Sequence, residues 1–162
     1  MNAILLIPGW DALHPSLSHF PIVLLLVAPV FVLLGLISSP PRRGLMLAGL
    51  WLLLAGTLAT YLAAASGDAA RDVAPQTAVV REAIARHEDL GGLARAVYSG
   101  LTALWAAILF GPGLLRRPLS PRAFAGLAAI FLVLCALAGG LVAVTAHTGG
   151  LLVHRLGVHA AL

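Results

Sequence analysis

The chain contains no lysine, a single cysteine and only 10% charged residues in 162 positions. One cysteine, Cys135, allows no intrachain disulfide. Its place deep in an apolar run reads as that of a small packing residue. So little charge, set against 60% hydrophobic residues and a mean hydropathy of +1.01, excludes an ordinary soluble domain. The net charge of +4 comes from arginine alone. These arginines flank apolar segments, where they report membrane topology and not a nucleic-acid surface. No nucleophile elbow is present, although Ser16 and Ser18 lie near histidines, and no Gly-rich loop follows a strand. Charged residues are not strung across the apolar runs, which disfavours ion pumping.

What is abundant is apolar sequence in long runs. Four of them reach membrane-spanning length, at about 20–37, 44–66, 91–110 and 122–146. The expected fold is therefore all-α, a single integral membrane four-helix bundle, because helices satisfy their own backbone hydrogen bonds in lipid. Gly67-Asp68 ends the second run and Gly111-Pro112-Gly113 breaks the third. A polar connection, 67–90, separates the second and third runs. Its second half reads as an amphipathic helix, with Val80, Ile84 and His87 at helical spacing. Trp10, Tyr61 and Tyr98 fit an interfacial aromatic belt, while Trp51 and Trp105 read as deeper packing residues. Met1 to Trp10 carries no basic start and no small-residue cleavage site, so it does not read as a secretory signal. A surface-lying or partner-contacting segment is expected there.

Orientation follows from the short loops. Arg42, Arg43, Arg116, Arg117 and Arg122 occupy the first and third connections, which hold no acidic residue. All six acids, Asp11, Asp68, Asp72, Glu82, Glu88 and Asp89, fall on the other side with the remaining five arginines. The positive-inside rule makes the arginine-only side cytoplasmic. Both termini are then outside, periplasmic in the inner membrane of a double-membrane bacterium.

All six histidines (His14, His19, His87, His147, His154 and His159) share that outer side. His19 opens the first span, His87 precedes the third and His147 closes the fourth, so three different helices bring imidazoles to a similar depth. These three are the leading ligand candidates, with His14 next. His14 and His19 are five residues apart and need not share a face. His147 and His154 would share one if the helix ran through Gly149-Gly150; His154 and His159 otherwise read as surface residues. Below His147, the residues Ala143, Gly140, Ala136 and Ala129 form a small-residue stripe, suited either to helix packing or to a slot for a flat macrocycle. Two facing imidazoles on iron make a b-type haem, and the same rings suit copper. Covalent c-type attachment is excluded by the absence of Cys-x-x-Cys-His. Arg95, inside the third run, either snorkels to the headgroups or pairs with a haem propionate or another anionic group.

The segment His14-Pro15-Ser16-Leu17-Ser18-His19-Phe20-Pro21-Ile22 resembles the HPxxxHFPI opening of a bacterial family of four-helix membrane proteins of unknown function. The ending from His147 through Gly149-Gly150 to Gly157-Val158 resembles that family's closing pattern, a histidine followed by GGxLVYxxGV. His154 stands where the family usually has tyrosine. The resemblance covers essentially the whole chain and includes a histidine at the head of the third span, where His87 stands. It implies a small membrane cytochrome with His14, His19, His87 and His147 as haem ligands.

The leading expectation is thus a membrane electron-transfer protein or subunit, not a stand-alone enzyme. It would hold one or two b-type haems at the outer face, between quinol and an external cytochrome or partner subunit. Two other readings stand beside it: a copper or other metal site on the same histidines, and a structural anchor within a larger respiratory or photosynthetic assembly.

Overall fold

A computed structural model describes residues 9–158, and its regular structure is four helices. They are α1 (His14–Ile37), α2 (Arg43–Val73), α3 (Ala78–Leu114) and α4 (Pro121–His154). The links between them are short, so successive helices run antiparallel. Each packs on the next, and α4 returns to α1. The bundle is therefore a ring in which α1 and α3 stand diagonally opposite. The start of α1, the end of α2, the start of α3 and the end of α4 share one end of the bundle.

All four helices are long and apolar enough to cross a membrane. Their surface fits lipid: Ile37, Trp51 and Leu137 are each about two-thirds exposed, in company with Leu26, Leu33, Leu58, Ile130 and Val133. Water would penalise so continuous an apolar exterior. Trp51 is thus a lipid-facing residue and not the packing residue its depth suggested. Trp105 is the packing residue, fully buried.

The helices outrun the apolar stretches. At about 1.5 Å per residue, the 37 residues of α3 far exceed a hydrocarbon core of about 30 Å. α2 continues through Gly67-Asp68 to Val73. Its last turns are rich in alanine, and Arg71 bridges Asp68 at 3.5 Å, Asp72 at 3.4 Å and Glu88 of α3 at 3.2 Å. α3 runs through Gly111-Pro112-Gly113 to Leu114, since one proline costs a helix one hydrogen bond and the backbone re-forms around it. There the Leu115 amide donates to the Gly111 carbonyl and the Arg117 amide to that of Pro112. α4 likewise passes Gly149-Gly150 and ends at His154. Thr77 and Ser120 cap α3 and α4 by accepting from the amides of Val80 and Ala123.

The two helical hairpins are packed differently. Between α1 and α2 the backbones meet closely. A methyl added to Gly49 would lie 2.7 Å from Cγ2 of Val32 and 3.0 Å from the Ala28 carbonyl oxygen. Between α3 and α4 the space is filled by rings: Trp105 stacks on Phe131, with centroids 4.7 Å apart and planes 23° from parallel. Trp105 also donates from Nε1 to the Met46 carbonyl at 3.1 Å, tying the second hairpin to the first. Thr57 and Thr102 add a hydroxyl pair at 2.9 Å across α2 and α3.

Candidate functional site

The residues that the fold brings together are His14 and His87. α1 begins at His14, with Pro15 in its first turn, where a missing backbone N–H costs nothing. His87 lies almost three turns into α3, in the polar stretch that precedes the apolar span. Although their helices are diagonal in the ring, the two imidazoles meet with centroids 6.3 Å apart and planes at 83°.

Each ring is anchored in the same way by the helix that follows its own. Nδ1 of His14 lies 2.9 Å from the Ala63 carbonyl oxygen and 3.1 Å from Oγ of Ser66. Nδ1 of His87 lies 3.1 Å from the Thr145 carbonyl oxygen and 3.1 Å from Oγ1 of Thr148. In both cases the hydroxyl also donates to that same carbonyl, Ser66 to Ala63 at 2.9 Å and Thr148 to Thr145 at 2.8 Å. A carbonyl oxygen only accepts, so each imidazole donates its Nδ1–H, and in a neutral ring of that tautomer the lone pair is on Nε2. This is the tautomer in which a histidine ligates a metal through Nε2, held by a hydrogen bond on the far nitrogen.

Glycine forms the floor under both rings. A methyl placed on Gly67 would stand 3.0 Å from Cε1 of His14, and one on Gly149 would stand 3.0 Å from Cε1 of His87. Both contacts are tighter than ordinary packing, so any larger residue would push the ring away. His87 is held below its ordinary pKa, first by burial and then by the neighbouring His14 ring, with the Thr145 carbonyl opposing. Its neutral, ligand-ready form therefore prevails at pH 7.

The other expected residues lie elsewhere. His19 is exposed and donates from Nδ1 to the Pro15 carbonyl of its own helix. His147 and His154 are exposed on α4, and His159 falls outside the described residues. The stripe Ala143, Gly140, Ala136 and Ala129 is exposed as well, and nothing approaches Gly140, so it forms no slot within the bundle. Arg95 is half-buried with its guanidinium 5.4 Å from the centre of the Tyr61 ring, a cation–π contact between α3 and α2. Ser99 steadies that contact, bonding Tyr61 Oη at 3.2 Å and the Arg95 carbonyl at 2.8 Å.

Sequence reasoning passed over Ser66, Thr148, Gly67 and Gly149, though a signal existed. Each helix that follows a histidine helix carries a hydroxyl residue directly before a glycine, at the same end of the bundle. Among the described residues no group of three or more histidine, cysteine, aspartate or glutamate side chains is placed to hold a metal ion. The site offers two nitrogen ligands. That is too few for a tetrahedral zinc centre, but it is the full protein complement for an iron whose other four ligands come from a porphyrin.

Neither the curated proteins nor the solved structures include a match to this chain. A family model described as a predicted membrane protein matches residues 10–162, and the chain belongs to that family, DUF2231.

Proposed function

We propose that this protein is a membrane-embedded b-type cytochrome that passes electrons, its haem iron held between His14 and His87. The observation that carries this reading is the pair itself: two imidazoles from diagonal helices, both with Nδ1 tied to a carbonyl and Nε2 left to ligate. Two imidazoles binding one metal from opposite sides place their ring centres about 6 Å apart, given metal–nitrogen bonds of about 2 Å. The 6.3 Å separation is of that size. The flanking helices are also lean at this level, 63–70 of α2 reading AAASGDAA and 143–150 of α4 reading AVTAHTGG. A macrocycle between the rings would meet small side chains there.

When bound, the haem supplies a reversible one-electron change. The chain's own part is to fix both half-buried rings through Nδ1 and leave Nε2 of each without a protein partner among the described residues. In this reading the bundle lies in a bacterial inner membrane with its arginine-only loops inward. The histidine end faces the periplasm, exchanging electrons between membrane quinol and an external cytochrome or subunit.

The test is a dithionite-reduced minus oxidised spectrum, with a pyridine haemochrome assay, on detergent-purified protein from haem-replete cells. Bands of b-type haem are expected, lost in His14→Ala and His87→Ala and retained in His19→Ala and His147→Ala. Haem-free wild-type protein would overturn the reading, and stoichiometric copper in that sample would assign the same two rings to a copper site. Loss of haem in His19→Ala or His147→Ala, with His14→Ala intact, would move the ligation to the exposed rings.

A further inference from the structure

We infer that the two hairpins are structural repeats related by a pseudo-twofold axis along the bundle, and that their two half-sites share one ligand on that axis. The shared ligand rests on the haem reading above; the repeat does not.

The repeat is visible in burial. Pro21, Leu25, Ala28, Val32 and Gly35 are the buried residues of α1, and Ala94, Tyr98, Leu101, Trp105 and Ile108 are their counterparts in α3. Every one of these α3 residues follows its α1 partner at the same separation as His87 follows His14. In α2 and α4 the buried positions Met46, Gly49, Leu53 and Gly56 match Ala128, Phe131, Cys135 and Ala138. The spacing between those pairs is also the spacing from Ala63 to Thr145, from Ser66 to Thr148 and from Gly67 to Gly149. The relation lies in register, since the matched core residues are mostly of different types.

Both hairpins begin at the same end of the bundle, so the axis relating them runs along the bundle, as in parallel repeats of membrane proteins. Such an axis passes between His14 and His87, which occupy equivalent places on diagonal helices. Each hairpin supplies the same set: one imidazole, one carbonyl and one hydroxyl on its Nδ1, and one glycine under its ring. A ligand between the rings therefore meets the same chemistry from both sides. Neither half alone would supply both imidazoles to a haem, because each hairpin contributes one, His14 or His87. Ser66 and Thr148 become positioning residues that fix the rings without touching the iron.

Haem content per chain, measured on wild type and on single variants with size-exclusion profiles as the fold control, tests this. One haem per wild-type chain is expected. His14→Gly and His87→Gly should each lose all of it, and imidazole added to the buffer should restore it in both. Restoration holds the test open for variants that bind poorly. Ser66→Ala and Thr148→Ala should each weaken haem retention by about 10-fold, to a similar extent, and displace the midpoint potential in the same direction. Two haems per chain, half occupancy in either histidine variant, or an effect confined to one of the two hydroxyls would overturn the shared axial site while leaving a haem protein in place. A wild type without haem would remove the haem reading and the shared ligand with it.

Discussion

The two hairpins do the same job with opposite materials. In the first, Gly49 lets α2 lie directly against Val32 and the Ala28 carbonyl. In the second, the equivalent position is Phe131, stacked on Trp105, the counterpart of Val32. One interface is built by removing side chains and the other by adding rings. Lipid tails are as apolar as any side chain, so van der Waals fit and interhelical hydrogen bonds hold membrane helices together in place of the hydrophobic effect. Close backbones and stacked aromatics are two ways to reach that fit. The histidine cradles are alike in both halves because they depend on register along the helices, which both kinds of packing preserve.

The comparison can be broken from the aromatic side first. Phe131→Ala should open a cavity beside Trp105 and cost about 3 kcal/mol, read as a lowered unfolding midpoint in detergent. A change near zero would mean that the ring stack contributes nothing to holding α3 against α4. Next comes the glycine side. Gly49→Ala should cost about 1–3 kcal/mol by overpacking, because the Ala28 carbonyl cannot retreat from the added methyl as a flexible side-chain tip would. Unchanged stability there would show that α1 and α2 have slack. The smallest effect is expected at Tyr98, which fills the place of Leu25. Its hydroxyl is buried with no hydrogen-bond partner among the described residues. Tyr98→Phe should therefore be neutral or stabilising, by up to about 1 kcal/mol. A clear loss in the same unfolding assay would reveal that the hydroxyl has a partner.

The four spans could be read from the sequence because apolar runs of that length have few other uses. Helix ends could not, since Gly67, Pro112 and Gly149-Gly150 look like stops but are tolerated where neighbouring turns keep their hydrogen bonds. The site was half legible. Counting depth from the start of each apolar run favoured His19, yet α1 begins at His14, and five residues turn a helix by about 140°, so only one of the two rings can face inward. A heptad count would have chosen between them. His14 stands in sevens with Pro21, Ala28 and Gly35, and His87 stands in sevens with Ala94, Leu101 and Ile108, all of them buried beyond the histidines. His147 falls off the buried stripe of α4. Depth and aromatic type alone equated Trp51 with Trp105, and only the packing of the helices separates a lipid-facing ring from a core one.

Ser66 and Thr148 each anchor a ring within their own hairpin, and this sets an order in time. The first cradle is complete once α1 and α2 have been made and inserted, before α3 exists. The second closes only when α4 arrives. The pair itself spans the two hairpins, His14 on α1 and His87 on α3. Anything bound by both rings at once would act as a clasp between the hairpins, stabilising the assembled bundle over its separated halves by mass action.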